Sequence, residues 1–437
     1  ADRRAHSRTR RADRSDRGLA TGAHRRSAGP GHRFRNRSGP GHARPHHRSV
    51  IMVRRALPLL LLVLISGCSW LGSWFGGSDQ SIPPAPFKPI ADTAGVRQIW
   101  ETRVGSGAGD QFIRLAPALA DGRIYAASHD GTVVALDALG GQRLWQADTK
   151  LPITGGVGLS DNELVLVGTD KGQVVALRQA DGQEAWRATV SSEVLAPPRA
   201  ARGIVVVRTG DGKFTGLDAR SGERRWISAH ALPALSLRGN APPVIVQNLV
   251  VAGLETGKLL VLSLDRGLPL TEKTVAPPRG RTEIERLIDI DSEPKAFGDT
   301  LYLVAYRGSV AAIDMRGGNP VWNRPLSSHA GLDVDDRRVY VSDDTDAVQA
   351  LDRRDGGTLW QQAELSGRRL TAPAATENHV VVGDFEGYLH WLDKSDGRIV
   401  GRIRAAGNGF SAPPITAGNI VFVYGNNGTL GAFRAGG

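Results

Sequence analysis

Short apolar runs rich in β-branched residues recur along the last three-quarters of the chain, at 123–128, 163–168, 204–208, 249–253, 301–306, 339–342, 379–383 and 420–425. Each is followed by a tight turn of Asp, Asn, Gly or Lys and then by a second strand-like run, the pattern of a β-hairpin. A further turn, such as Leu139-Gly140-Gly141 or Ser221-Gly222, leads to a strand that ends in Trp. The runs are apolar on both faces, which suits a sheet sandwiched between two others rather than one facing water.

The hairpins belong to a repeat. Its clearest copy runs from Gly131 to Trp145 and recurs at Gly172–Trp186, Gly212–Trp226, Gly308–Trp322 and Asp346–Trp360. Weaker copies start at Gly257, Gly387 and Gly428, and the fourth and seventh lack the Trp. The eight copies are spaced 41, 40, 45, 51, 38, 41 and 41 residues apart, room for four antiparallel strands each. The last copy stops at Phe433-Arg434, before its Trp-bearing strand, and a strand of that type stands alone at 96–101 with Trp100. The expected fold is therefore all-β: a closed eight-bladed β-propeller of four-stranded antiparallel blades over 96–437, with the N-terminal strand completing the last blade. Trp100, Trp145, Trp186, Trp226, Trp322 and Trp360 recur too often to be a ligand site and read as blade-docking residues. The repeated Asp137, Asp218, Asp314, Asp352 and Asp393 read as turn caps.

The N-terminal quarter is different. Residues 1–51 hold 14 Arg and 3 Asp, which accounts for the whole net charge of +11; from Cys68 onward 39 basic residues face 41 acidic ones. Such a segment cannot bury enough apolar surface to fold. A basic arm could bind nucleic acid or anionic lipid. The alternative, adopted here, is a non-native or disordered extension with translation starting at Met52, so no nucleic-acid partner is expected. From Met52 a basic start, an apolar run at 56–65 and Ser66-Gly67-Cys68 make an export signal (52–67), too short to span a bilayer. The last residues resemble a bacterial lipobox, which makes Cys68 the lipid attachment site and membrane anchor. Cys68 is also the single cysteine, so no disulfide framework exists. Residues 68–95 mix Gly, Ser and Pro with aromatics and read as a flexible tether.

The G-x-V-x-A-L-D-x-x-x-G-x-x-x-W repeat resembles that of pyrroloquinoline-quinone enzymes. Across 52–437 the combination of lipobox, tether and eight repeats resembles the BamB family of outer-membrane assembly lipoproteins. Two stretches sharpen the likeness, Leu235-Ser236-Leu237-Arg238-Gly239 and Thr282-Glu283-Ile284-Glu285-Arg286-Leu287-Ile288-Asp289-Ile290-Asp291. The resemblance implies that these bind the periplasmic domains of the barrel-inserting subunit BamA. It also implies partnership with other assembly subunits and a place on the periplasmic face of the outer membrane; Ser69 after the anchor, rather than Asp, agrees with that address. Unfolded barrel proteins are conceivable clients, through strand addition at blade edges.

Spacing alone makes the two stretches interesting. The longest intervals, 45 and 51 residues, flank the fourth copy, so loops entering blades four and five should share one rim. Leu235, Leu237 and Leu287 would supply apolar contact, Arg238 a fork of donors, and Asp289 and Asp291 acceptors. The opposing possibilities are that the leucines fold inward, that the aspartates cap the next strand, or that Arg238 pairs with Asp289 or Asp291. A quinone-dependent dehydrogenase is disfavoured: the vicinal cysteine pair such enzymes share is missing and the histidines are scattered, so no catalytic residue, metal or cofactor is expected. A periplasmic propeller binding another envelope protein or a polysaccharide is the remaining alternative.

Overall fold

The β-branched runs form the second strand of eight four-stranded antiparallel sheets, and nearly every residue in them is buried. The computed structural model describes residues 83–161, 163–235, 241–278, 280–282 and 284–436. The basic extension, the export signal, Cys68, and the candidate residues Leu237 and Arg238 lie outside these. Seven sheets are contiguous in sequence, at 118–148, 153–189, 199–229, 244–274, 295–325, 331–362 and 374–404. The eighth joins both ends of the repeat: Arg97–Arg103 pairs antiparallel with Thr429–Arg434, opposing Trp100 to Ala432. Short inner strands of neighbouring blades touch, and apolar clusters fill the spaces between blades. This is an eight-bladed β-propeller, with no helix among the described residues.

One device recurs in the outer strands. The pairing with the third strand slips by one residue just before the Trp position, a β-bulge that skips Ile99, Leu144, Val321 or Leu359 and turns these side chains outward. The Trp itself then lies against the next blade. Its indole N–H donates to the carbonyl of Ala138, Gln179, Ala219, Leu264, Arg353 or Lys394, at 2.8–3.0 Å. The Trp100 bond links blade eight to blade one. The ring face covers a turn glycine of the same neighbour. At Gly141, where φ is +71°, a Cβ would stand 2.6 Å from Trp100 Cδ2. The repeated aspartates hold these turns: Asp137 Oδ1 accepts from the amides of Leu139 and Gly140, and Asp218 Oδ1 from Arg220 and Ser221.

The two blades without the Trp solve the contact differently. In blade four Thr271 holds the position, and Lys273 Nζ instead donates to the Gly318 carbonyl of blade five at 2.6 Å. In blade seven the position is Gly401, and its cross-strand partner is Trp391, which is fully buried. Blade eight has no turn to dock on, because its third and fourth strands come from opposite ends of the repeat. Ala94, Val96 and Ala435 pack there, and a Cβ on Gly401 would meet Val96 Cγ2 at 2.6 Å.

The expectation of a tether that stays free up to Gly95 does not hold for its last part. Pro83–Gly95 lies on blade seven, with Ala94 and Ile90 packed into apolar clusters and the Ala94 amide bonded to the Val400 carbonyl. Phe87 supplies the affinity that the Gly/Pro composition hid. Its ring is held between the guanidinium groups of Arg368 and Arg402, 3.9 and 4.0 Å from its centroid.

Candidate functional site

In each blade the first-to-second and third-to-fourth strand turns emerge on one face. The interblade loops emerge on the other. The long loops 230–243 and 275–294, entering blades four and five, therefore share the second face with the loop 104–117 entering blade one. All three contribute to the lining of an open funnel of about 1010 Å³, together with the loops entering blades six, seven and eight.

The 275–294 loop begins with one helical turn fixed by its own polar side chains. Thr282 Oγ1 accepts from the Glu285 amide, and Glu285 Oε2 accepts from the amides of Arg281 and Thr282, a reciprocal capping box. Those contacts hold the Glu285 carboxyl below its usual range. The turn presents Ile284, 66% exposed, while the Arg307 guanidinium donates to its carbonyl. Ile288 and Ile290 then enter the core between blades four and five, and Leu287 is half-buried.

Asp291 joins three loops. Its Oδ1 accepts from the Ala241 amide at 3.2 Å, which ties loop 275–294 to loop 230–243. Its carbonyl accepts from Arg114 Nη1 at 3.1 Å, and Arg114 Nη2 lies 3.6 Å from its Oδ2. The same guanidinium donates to the His329 carbonyl, so the loop entering blade one spans the funnel mouth to blades five and six. Two residues before Arg114, Phe112 stands 94% exposed.

Asp289, expected to offer acceptors to a partner, lies behind the surface at 1% exposure. Its backbone bridges to Tyr306, whose amide donates to its carbonyl at 2.7 Å, but neither carboxyl oxygen has a hydrogen-bond partner. Burial pushes its pKa up to about 8, and the negative charges of Asp291 and Glu255 add to this against the weaker pull of Arg208 and Arg114. Nearby, Arg208 Nη2 donates to Glu255 Oε1 at 2.6 Å and Nη1 to the Ala241 carbonyl at 3.0 Å. Burial alone would raise Glu255; the His230 ring and Arg208 outweigh it and bring the carboxyl down to about 2. The layer under the loops thus holds two acids, Asp289 and Glu255, with Arg208 and His230.

Of the sequence-predicted site residues, Leu235 is 49% exposed on the 230–243 loop, Asp291 is at the loop junction and Asp289 is beneath it. Arg114 and Phe112 of the loop entering blade one, and the Arg208–Glu255 pair of blades three and four, were missed, since no local pattern marks them. On the funnel walls Arg199 and Lys295 both contact Glu293, and Asp333 accepts from the Ala375 amide. Among the described residues no group of three His, Cys, Asp or Glu is placed to hold a metal ion.

The sequence matches the family described as outer membrane protein assembly factor BamB over residues 90–153, 129–362 and 344–436. The protein of that name from Bordetella pertussis is 39% identical over 87% of this chain and 97% of its own length. The one from Escherichia coli is 34% identical, over 85% and 96%. The crystal structure of BamB from Moraxella catarrhalis superposes with a TM-score of 0.70 at 31% identity, covering 78% of this chain and 99% of that one. A quinohemoprotein alcohol dehydrogenase from Comamonas testosteroni reaches a TM-score of 0.63 at 14% identity, covering 84% of this chain and 82% of its own, which is a likeness of fold alone. With a matching repeat from end to end, an eight-bladed ring and relatives aligned over nearly their full length, the chain belongs to the outer membrane protein assembly factor BamB family.

Proposed function

We propose that this protein is a non-catalytic scaffold of outer-membrane β-barrel assembly, and that the rim built by loops 230–243 and 275–294 binds the periplasmic domains of a BamA-like barrel-inserting subunit. The observation that carries this reading is the junction at Asp291, where the Ala241 amide and Arg114 lock three loops into one presenting surface. On it Leu235 and Ile284 offer apolar contact, and Leu237 and Arg238, which follow Leu235 in the sequence, would add an apolar contact and a fork of donors. Rigid, partly apolar rims with polar margins suit protein recognition, because little conformational freedom remains to be lost on binding. Asp289 supports the rim from beneath.

The anchor in this reading is lipid on Cys68, which holds the propeller at the periplasmic face of the outer membrane. Outward-facing Ile99, Leu144, Val321 and Leu359 on free edge strands would let extended client segments add to the blades. The test is co-purification of the barrel-inserting subunit with the full chain carrying Leu235→Glu and Ile284→Glu. Loss of the partner by a folded variant supports the rim, whereas undiminished capture moves the interface elsewhere.

A further inference from the structure

Blade seven differs from the others at its outer edge, and the difference is made by the chain's own N-terminal segment. The bulge residue that stands exposed on the other outer strands is here Val400, which is buried. What covers it is Ala94, whose amide donates to the Val400 carbonyl at 3.0 Å. Upstream, the Ala85 amide donates to the Ser366 carbonyl at 2.8 Å, and Arg368 Nη1 donates back to the Ala85 carbonyl at 3.2 Å. Arg402 Nη1 donates to the Lys88 carbonyl, and Lys88 Nζ pairs with Glu364 at 3.1 Å.

The receiving surface is built rather than incidental. Arg368 is almost wholly buried, with Nε donating to Asp384 at 2.8 Å. His390 lies 3.1 Å from the same carboxylate through Nε2, and its Nδ1 accepts from Arg402 Nε. Those bonds fix both guanidinium planes on either side of Phe87, whose ring also meets Tyr388 edge-on at 4.8 Å. An edge strand left open invites pairing with another chain, and here the chain closes it against itself.

We propose that Pro83–Ala94 is a permanently docked strap that closes the outer edge of blade seven and holds that edge toward the membrane. The inference rests on the lipid-anchor reading for its second half. From Cys68 to Pro83 an extended chain reaches about 50 Å at most; were the segment undocked, the reach to Arg97 would be about 100 Å. Docking therefore halves the leash and gives it a fixed point of attachment on one blade.

Two measurements test this. Hydrogen exchange on the full chain should show the Ala85 and Ala94 amides slowed at least about tenfold against Phe87→Ala with Ile90→Asp, since each donates to a propeller carbonyl. For orientation, lipidated protein in phosphatidylethanolamine–phosphatidylglycerol vesicles is labelled through Ser395→Cys on blade seven or Ser221→Cys on blade three. A lipid-borne quencher should dim the blade-seven label at least about twofold more. The strap variant should remove that difference. Fast exchange of both amides overturns the docking, and equal quenching of the two labels overturns the orientation. Palmitate labelling of Cys68 reads the anchor separately, so a chain without lipid would fail the functional reading while the exchange result still decides the strap.

Discussion

Trp391 and Gly401 face each other across the outer strand pair of blade seven, inverting the arrangement of blade one, where Ala135 faces Trp145. The large ring has moved one strand inward, and the vacated place is filled by Val96 and Ala94. Restoring the repeat with Gly401→Trp should therefore destabilise the protein by about 2–3 kcal/mol through overpacking. Denaturant unfolding of the variant measures it; a gain in stability would mean the site is looser than the 2.6 Å approach of Val96 implies.

Trp360 is the ordinary case of the same position. Its ring covers Gly397, and its N–H donates to the Lys394 carbonyl at 2.8 Å. Trp360→Ala should cost about 3–5 kcal/mol, chiefly from the cavity between blades six and seven. Trp360→Phe should cost less, with about 1 kcal/mol of it due to the lost hydrogen bond. Equal losses for the two variants would show that packing contributes little there.

Asp289 gives the fold an unusual pH dependence. Its carboxyl is neutral in the folded protein up to about pH 8 and ionises near 4 when unfolded. The folded state thus binds the extra proton between those values, and stability from this group falls as pH rises through that window. The slope is about 1.4 kcal/mol per pH unit, with the contribution whole below about pH 4 and gone above about pH 8. Glu255, brought down to about 2, works in the opposite sense at acid pH: its contribution is lost as pH falls from about 4.5 toward 2. Asp289→Asn, which keeps shape and removes the titration, should unfold at higher denaturant than the parent at pH 8 and flatten the decline between pH 5 and 8. Parallel pH profiles for the two proteins would place the proton elsewhere.

Arg114 is the strut between the blade-one loop and Asp291. Arg114→Ala should cost about 1–2 kcal/mol, because the carbonyls of Asp291 and His329 lose a charged donor. On the proposed reading it should also weaken capture of the barrel-inserting subunit, by loosening the rim. Arg114→Lys, which cannot span both carbonyls with one planar fork, should recover little of either. Full recovery by Lys, read by pulldown and thermal unfolding together, would reduce Arg114 to a charge.

The repeat, the blade count and the Trp and Asp devices were legible in the sequence because each is local and occurs many times over. A period of about 41 residues and alternating strand and turn chemistry leave few folds to choose from. The loop lengths around the fourth copy likewise announced a shared rim, since chain order fixes which face each connection leaves. What only the tertiary structure decided are contacts made once, between parts far apart in sequence. Burial turned Asp289 from a surface acceptor into a neutral support, and Glu255, brought to it from blade four, adds its charge to that of Asp291 in the same loop. Arg114 reached the site from the far end of the ring. Phe87 found the guanidinium groups of Arg368 and Arg402 far along the chain, so a stretch that reads as free linker is docked. Periodicity encodes what every blade must do, while pairings between distant side chains depend on where the closed ring brings them.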